Sequence, residues 1–407
     1  HGALPLCLDP PIPRMHRRTP EGVERDIRER IFPRDWFHPT YEGGADWQKA
    51  LDRVNTAAAR IARVVVHPDY RSEGFGALLV RVALEWAKER GAPEARREKH
   101  LVYTIAQMAR YHPFFEKVGF RYLFDTASGR PVLFYPLTEE AEAHLERFLR
   151  EDPYAKAHGG RLYKPRFGRV PGLPGPIRLA GVHKAYRSHL DLEGLSREVQ
   201  EALLAFGVKA RVVERAVLRG ASLEIPPGSL VVLAGASGAG KTTLLRLLLG
   251  EAPDAGEVAV PPGRRVAYIP GEREVDLGEA PILEAVYRRL KDVGAAIEVL
   301  NRVGLSDAVL YRARPHELST GQRERFRLAL LLAERPDLLL IDEFAAHLDV
   351  PTARRVALGL GKLCREAGVT LVAATHRPEV VAALDPDLLV YVGYGGLTTV
   401  PRRGPRT

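Results

Sequence analysis

The chain has 407 residues, a length that accommodates two domains of ordinary size. Its 45% hydrophobic and 27% charged residues exclude a disordered or fibrous protein. The two cysteines, Cys7 and Cys364, show no metal-ligand spacing, which favours a reducing cytoplasmic compartment over secretion. No apolar run reaches the ~20 residues of a membrane span, and no signal peptide is recognisable. His1 replaces a starting methionine, so we expect residues to be missing at the start.

Apolar spacing predicts several elements in the first 150 residues. In order, these are a helix at 23–31, a strand at 61–66, a helix at 75–90, a short helix at 113–120, and strands at 121–124 and 131–137. Thr138 is predicted to cap a helix that ends near Arg150, because its hydroxyl can accept from a free amide.

A glycine-containing loop joins the strand at 61–66 to the helix at 75–90. It reads Arg71-Ser72-Glu73-Gly74-Phe75-Gly76, and its glycines let the amides at the helix start approach a pyrophosphate. Together with PFFEKVGF at 113–120, the loop resembles the acyl-CoA motif of GNAT acetyltransferases, over about residues 60–136. The resemblance implies an acyl-CoA site formed by Val66, Arg71, Ser72, Gly74, Phe75 and Gly76.

Two departures from this motif leave the chemistry open. Phe115 stands where the family often has a general-acid tyrosine, and Glu73 puts a negative charge beside the expected pyrophosphate. Tyr111 and His112 are polar alternatives, although each could equally be structural. We therefore expect a GNAT-like domain at 1–150. It either transfers acetyl groups from acetyl-CoA or is a degenerate GNAT fold that serves only as a binding module.

Residues 151–178 are rich in glycine, proline and basic residues, which predicts a linker. Beyond them strands and helices alternate, as in an α/β domain, predicted over 179–407.

A phosphate-binding pattern follows the strand predicted at 231–234. It reads Gly235-Ala236-Ser237-Gly238-Ala239-Gly240-Lys241-Thr242-Thr243 and opens a helix at 242–249. This is a P-loop between a strand and a helix, so backbone amides and the helix N-terminus can hold phosphate. Lys241 is placed to reach the β- and γ-phosphates, and the Thr242 hydroxyl to bind Mg²⁺. A glycine-rich loop without a ligand is the alternative, and the flanking elements count against it.

Further motifs come later in the chain. They are LSTGQ at 318–322 before a helix at 323–334, an apolar strand at 338–341 ending in Asp342 and Glu343, Asp349, a strand at 370–374, and His376. Because strand ends form the ligand edge of an α/β sheet, Asp342 is predicted to hold Mg²⁺ and Glu343 to activate the attacking water.

This order of motifs resembles the ATP-binding-cassette (ABC) ATPases, over about residues 178–407. The resemblance implies a head-to-tail homodimer with ATP between the P-loop of one copy and the LSTGQ signature of the other. The ATP contacts outside the P-loop would be Ser319, Gly321, Gln322 and Asp349. His376 would contact the γ-phosphate, whereas the same histidine without the other motifs would be read as structural.

Two positions differ from the ABC pattern. Gly271 stands where the family has a glutamine that touches Mg²⁺ and, in transporters, reports on the membrane subunits. Glu272 could replace it or be an ordinary surface residue. Tyr186 resembles the family's adenine-stacking aromatic, but a segment of helical character at 192–206 separates it from the next strand. Tyr186 is therefore an adenine contact or an ordinary tyrosine.

A net charge of +9 and an isoelectric point of about 9.5 allow a nucleic-acid partner. The basic clusters are Arg161, Lys164, Arg166 and Arg169; Arg323, Arg325 and Arg327; and Arg402, Arg403 and Arg406. Such clusters can contact phosphate backbones, or they can simply be a solvated surface.

The sequence thus predicts a GNAT-like mixed α/β domain followed by an ABC-type P-loop domain. The expected function is Mg-ATP hydrolysis in a dimer, coupled to a module that binds acyl-CoA and transfers an acetyl group to a macromolecule such as nucleic acid. The alternatives are the ATP-binding subunit of an ABC transporter and an ATP-switched scaffold without turnover.

Overall fold

The computed structural model describes residues 6–9, 11–12, 14–38, 56–66, 74–89, 97–190, 192–208, 211–271, 276–393 and 396–402. Contacts between Cα atoms divide the chain into two compact units, His1–Arg166 and Phe167–Thr407. Both units are α/β, and each has its own buried hydrophobic clusters. Among the described residues, no helix is long and apolar enough to cross a bilayer.

The first unit is built on a sheet with the strand order β1-β4-β5-β7-β6, beside a β2–β3 hairpin. Its elements are β1 (Leu6–Asp9), β2 (Arg17–Thr19), β3 (Gly22–Glu24), α1 (Ile27–Ile31), β4 (Ala58–Val64), α2 (Phe75–Glu89), β5 (Leu101–Ile105), β6 (Arg121–Asp125), β7 (Pro131–Pro136), α3 (Glu139–Glu151) and α4 (Pro153–His158).

The parallel pair β4–β5 positions the predicted acyl-CoA loop. Their registered pairs run from Ala58 opposite Leu101 to Ile61 opposite Thr104, and β4 then continues to Val64 paired with β1. The predicted cap of α3 is confirmed, because the Thr138 hydroxyl accepts from the Ala141 amide at 3.4 Å.

Two predicted helices of the first unit were wrong in part. Val23 lies in the β2–β3 hairpin, where it pairs with Arg18, and the helix begins only at Ile27. Cross-strand pairing therefore outweighed the helical spacing there. In the segment at 113–120, only a 3-10 turn forms, over Glu116–Val118, and Gly119 with φ 108° ends it.

The second unit contains a six-stranded sheet of order β12-β13-β14-β10-β15-β16 and a three-stranded sheet of order β11-β8-β9. Its elements are β8 (Ile177–Leu190), α5 (Arg197–Ala205), β9 (Arg211–Ile225), β10 (Leu230–Ala234), α6 (Lys241–Leu248), β11 (Ala255–Ala259), β12 (Val266–Ile269), α7 (Ile282–Leu290), α8 (Val293–Arg302), α9 (Thr320–Ala333), β13 (Leu338–Ile341), α10 (Val350–Ala367), β14 (Thr370–Ala374), α11 (Pro378–Leu384), β15 (Leu388–Gly393) and β16 (Gly396–Pro401).

The centre of the six-stranded sheet is parallel and buried. Every residue of β13 and β14 is buried, which explains why both strands are continuous apolar runs, and the predictions for both are confirmed. Ile341 pairs with Ala373, and Leu233 pairs with Ala374. The carboxyl ends of β10, β13 and β14 therefore meet at one edge of the sheet.

The segment predicted as a linker contains packed residues of both units. Helix α4 is capped by Asp152, whose carboxylate accepts from the Tyr154 and Ala155 amides. Phe167, only 1% exposed, belongs to the core of the second unit. The domain bounds 1–150 and 179–407 stay a prediction.

Strands β8 and β9 form a long antiparallel hairpin with α5 between them. The hairpin pairs Ile177 with Ile225 at one end and Leu190 with Arg211 at the other. The helical character predicted at 192–206 is confirmed over Arg197–Ala205.

Candidate functional site

The loop between β10 and α6 needs glycine at two positions where the backbone meets other strands. Gly235 has φ 147°, and a Cβ there would lie 2.2 Å from the Val392 carbonyl oxygen. Gly240 has φ 111°, and a Cβ there would lie 2.5 Å from Cγ1 of Val217. The loop is therefore held tightly against β9 and β15, which fixes its amides in place.

The same loop carries the predicted phosphate-binding side chain. The Lys241 ammonium donates to the carbonyl oxygens of Gly235 and Ala236, both at 2.8 Å. Ser237 and Gly238 are exposed, Ala239 is half-buried, and Thr243 is buried beneath the loop. The exposed loop thus presents its ammonium and the N-terminus of α6 to an anionic ligand.

Thr242 and Asp342 bring the ends of the two motifs together. The Thr242 hydroxyl donates to Oδ2 of Asp342 at 2.7 Å, and Oδ1 accepts from the Glu343 amide at 3.1 Å. Asp342 is 7% exposed, so its buried carboxylate is stabilised by hydrogen bonds from these two donors. A hydroxyl and a carboxylate oxygen fit Mg²⁺, which keeps several waters and phosphate oxygens and needs few protein ligands. No group of three or more His, Cys, Asp or Glu suited to a metal occurs among the described residues.

Glu343 follows in an unusual backbone conformation. Its φ is 50°, in the left-handed region that a glutamate rarely adopts, and its side chain is exposed. A Cβ at Gly271 would lie 3.1 Å from both Cγ and Oε2 of Glu343. The glycine at 271 therefore leaves room for the carboxylate. Glu272 lies outside the described residues.

A cavity opens beside this carboxylate, and Gly271, Arg327, Glu343 and His347 are among the residues that line it. The Arg327 guanidinium donates to the Pro270 carbonyl oxygen at 3.5 Å. Burial lowers the pKa of Arg327.

The signature residues begin α9, three residues earlier than the sequence predicted. The Ser319 hydroxyl accepts from the Gln322 amide at 3.3 Å, and Oε1 of Gln322 accepts from the Ser319 amide at 2.9 Å. This capping box explains the early start. A Cβ at Gly321 would lie 3.1 Å from Cδ2 of Leu348, so the signature packs on the segment before Asp349. Ser319 itself is exposed.

Asp349 has a structural contact of its own. Its carboxylate caps α10 by accepting from the Thr352 amide at 2.9 Å, and this bond lowers its pKa. His376 follows β14 and is exposed at the same strand-end edge. The structure therefore brings Lys241, Thr242, Asp342, Glu343 and His376 to one edge of the sheet.

Tyr186 pairs across the β8–β9 hairpin with Arg215, so both side chains lie on one face. The Tyr186 hydroxyl donates to Oε1 of Glu251 at 3.4 Å. Arg215 donates to the Gly238 carbonyl oxygen at 2.9 Å. The contact of Arg215 with the P-loop was missed from the sequence, because it depends on strand pairing and has no motif of its own.

In the first unit, the described part of the predicted acyl-CoA loop surrounds the start of α2. Gly74 has φ 87°, and the space around its missing Cβ is open within 4 Å. A Cβ at Gly76 would lie 2.9 Å from the Phe114 ring and 3.6 Å from Cγ2 of Val66. Phe75 is half-buried at the first position of α2. Arg71, Ser72 and Glu73 lie outside the described residues.

The residues at the expected general-acid position are apolar or desolvated. Phe115 is 5% exposed and packs edge-on against Phe114 and Phe120. Tyr111 and His112 are half-buried. Burial lowers the pKa of His112 to about 4, with a smaller contribution from the charge of Lys117.

The basic clusters differ in how much charge they expose. Arg161, Lys164, Arg166 and Arg169 are exposed. After the signature only Arg323 is exposed, because Arg325 donates to the Gly321 and Gly304 carbonyl oxygens and Arg327 to Pro270. The prediction of a three-arginine surface cluster there was therefore wrong. Arg402 pairs with Asp385, and Arg403 and Arg406 lie outside the described residues.

In comparisons with known proteins, two family models match different parts of the chain. The family model described as "ABC transporter" matches residues 218–346, and the model described as "Acetyltransferase (GNAT) domain" matches 42–122. The predicted fusion and its order are thereby confirmed.

Similar curated proteins are ATP-binding subunits. The zinc import ATP-binding protein of Ruegeria pomeroyi is 34% identical over 198 residues, 47% of this chain and 75% of the relative. The lipoprotein-releasing system ATP-binding protein of Rhodospirillum rubrum is 35% identical over 193 residues, 42% of this chain and 84% of the relative. The methionine import ATP-binding protein of Mesorhizobium japonicum is 34% identical over 209 residues, 46% of this chain but only 56% of the relative.

Among solved structures, a dimeric bacterial ABC transporter cassette aligns with a TM-score of 0.41 and 22% identity, covering 56% of this chain and all of that one. The motifs, the strand-end site and the sequence relatives lead to one assignment: this chain belongs to the family of ABC ATP-binding proteins, with a GNAT domain preceding its ABC domain.

Proposed function

We propose that the chain hydrolyses Mg-ATP in a head-to-tail dimer. The observation that carries the proposal is the bond of 2.7 Å between Thr242 and Asp342, with Glu343 next in the chain. This hydrogen bond joins the P-loop to the acidic end of β13. One edge of the sheet therefore holds the phosphate-binding loop, the proposed metal ligands and a carboxylate. The Lys241 ammonium, which donates to the carbonyl oxygens of Gly235 and Ala236, lies in the loop that would hold the phosphates of ATP.

In the proposed reaction, Lys241 donates to the β- and γ-phosphate oxygens. Thr242 and Asp342 would hold Mg²⁺, which would neutralise phosphate charge when bound. The Glu343 carboxylate orients the attacking water and accepts its proton. The water oxygen bonds to the γ-phosphorus, the bond to the β–γ bridging oxygen breaks, and ADP leaves with that oxygen. His376 donates to the γ-phosphate and keeps it in line.

The signature residues complete the site from the second copy. Ser319 is exposed at the N-terminus of α9, where amides and the helix dipole favour a phosphate. Its hydroxyl, with Gly321 and Gln322, would contact the γ-phosphate of the other copy. Asp349, beside the signature, and Tyr186, on the adenine side, are proposed as further nucleotide contacts.

For the GNAT domain, we propose that Val66, Gly74, Phe75 and Gly76, with Arg71 and Ser72, bind acyl-CoA. The open space at Gly74, directly before α2, supports this proposal. Acetyl transfer to a macromolecule, with nucleic acid as one candidate, is the activity proposed for the domain. Because Phe115 is apolar and buried, another group has to supply the proton to the leaving thiolate. We further propose that the ATPase cycle gates this domain, and that the protein works in the cytoplasm.

A transporter ATP-binding subunit is the second candidate, since the curated relatives are import or lipoprotein-releasing ATP-binding proteins. It requires separate membrane subunits. Gly271 counts against it, because the family residue that reports on those subunits is missing. A scaffold that binds ATP without turnover is opposed by Glu343.

The decisive experiment measures ATP hydrolysis by wild type and Glu343→Gln, each with and without DNA, RNA and acetyl-CoA. We expect Glu343→Gln to lose about 10²–10⁴-fold in turnover while ATP binding is kept. Glu257→Gln, an exposed glutamate on β11, is the matched control and should hydrolyse at the wild-type rate. Equal turnover in wild type and Glu343→Gln would overturn the proposed ATPase site.

The effectors separate the candidate functions. Stimulation by nucleic acid supports a nucleic-acid machine, and ATP-dependent acetyl-CoA binding supports coupling to the GNAT domain. Turnover indifferent to all three, together with co-purification of a membrane subunit, would favour the transporter reading instead.

A further inference from the structure

Helix α5 presents an apolar stripe to solvent. Val199 and the half-buried Leu203 of α5 and its C-cap residue Phe206 follow the i, i+4, i+7 spacing of one helix face, and α5 contains no buried residue. Val199 is 45% exposed and Phe206 is 86% exposed, while Leu204 beside them is 50% exposed. An aromatic ring and several aliphatic side chains grouped in this way mark a contact surface.

The hairpin places α5 at the rim of the nucleotide site. Arg215, opposite Tyr186, touches the P-loop at Gly238. Four residues beyond Tyr186 the strand ends at Leu190, a distance of roughly 13 Å at the usual strand rise. A segment that begins so close to the P-loop lies where a second copy must approach to deliver its signature.

We propose that α5 docks on the signature segment of a second copy of this chain and closes the composite ATP site from outside. The proposal rests on the head-to-tail dimer proposed above and adds a contact surface to it. Charge favours this partner. Segment 192–208 carries Glu193, Glu198 and Glu201 against a single basic residue, Arg197, which pairs with Glu201.

The signature segment has the opposite character. Arg312, Arg314 and Arg323 are exposed on either side of Ser319, and Val309, 50% exposed, provides an apolar neighbour. The segment also exposes one carboxylate, Glu317, which accepts from the Arg314 amide, so its arginines outnumber its acidic side chains. Acidic, apolar α5 is therefore complementary to a basic segment that also exposes an apolar side chain.

The test uses the full chain with Glu343→Gln, so that Mg-ATP is held without turnover, and measures the dimer dissociation constant by sedimentation velocity. We expect Val199→Asp combined with Phe206→Asp to raise this constant by about tenfold or more, the loss typical of buried apolar anchors. Leu358→Asp on α10, at 58% exposure, is the matched control and should leave the constant unchanged. Circular dichroism and binding of ATP by the monomer verify that each variant is folded.

A charge exchange gives a second readout. Glu198→Arg should weaken the dimer, and adding Arg314→Glu should restore it, because the pair then has reversed but still opposite charges. If the Glu343→Gln parent does not dimerise with Mg-ATP, the proposed dimer itself is overturned. If the parent dimerises and the α5 variants match it within about twofold, the α5 contact is refuted and the dimer stands.

Discussion

Thr242→Val is the substitution whose consequences follow most directly from the geometry. Valine has nearly the shape of threonine, so the change removes the hydroxyl that donates to Asp342 at 2.7 Å and little else. Asp342 is 7% exposed and then keeps only the Glu343 amide, at 3.1 Å, as a donor among the bonds described above. A hydrogen bond to a charged group contributes about 1.5–3 kcal/mol.

This loss predicts a lower melting temperature of the nucleotide-free protein. For a unit the size of Phe167–Thr407, about 2 kcal/mol corresponds to a fall of about 4–8 °C. Differential scanning calorimetry without nucleotide measures it. Thr242→Ser keeps the hydroxyl and should melt close to wild type.

The same substitution should also reduce the response of ATP affinity to magnesium. Titration of a fluorescent ATP analogue in Mg²⁺ and in EDTA compares the two conditions, and the gain from Mg²⁺ seen in wild type should shrink in Thr242→Val. A variant that melts within about 1 °C of wild type and keeps its full magnesium response would show that this hydroxyl holds neither the carboxylate nor the metal.

Two further predictions concern a glycine and a histidine. Gly240→Ala should lower the free energy of unfolding by about 1–3 kcal/mol more than Gly250→Ala does. The two glycines share a φ near 110°, but only at Gly240 does the added Cβ lie 2.5 Å from another atom, Cγ1 of Val217. Equal melting temperatures of the two variants would contradict the steric argument. For His112, the folded pKa of about 4 lies below the ordinary 6.5, so the unfolded chain binds more protons and stability of the first unit should rise with pH between these values. His112→Phe should flatten this rise of stability with pH, measured by urea unfolding. Tryptophan fluorescence reports the first unit, because all three tryptophans precede residue 90. An unchanged dependence of stability on pH would rule out His112 as its source.

In the second unit, the sequence predicted the structure where a candidate site residue directly follows a buried strand. Strands β13 and β14 lie between neighbours on both sides, so each reads as an uninterrupted apolar run. A glycine loop or a carboxylate that follows such a run lies at the end of the strand, which is the ligand edge of the sheet. In the structure Lys241, Thr242 and Asp342 lie at this edge, while their roles with ATP and Mg²⁺ stay predictions.

What the sequence did not predict depends on pairing between distant segments. Val23 has helical neighbours but lies in a strand because it pairs with Arg18. Arg215 reaches the P-loop because the β8–β9 register sets it opposite Tyr186, and neither residue type nor spacing signals that register. Phe167 reads as a linker residue among glycines and prolines, yet it fills the core of the second unit.

Gly271 shows how a departure from a family pattern becomes interpretable in three dimensions. Read alone, the missing glutamine argues for a lost metal contact. In the structure, a Cβ at 271 would lie 3.1 Å from Oε2 of Glu343, so a side chain there requires the Glu343 side chain to shift by a few tenths of an ångström. Thr242 and Asp342 meanwhile hold each other through a bond that does not involve residue 271. The substitution therefore bears on the position of the Glu343 side chain and on the cavity beside it more than on the bond between Thr242 and Asp342.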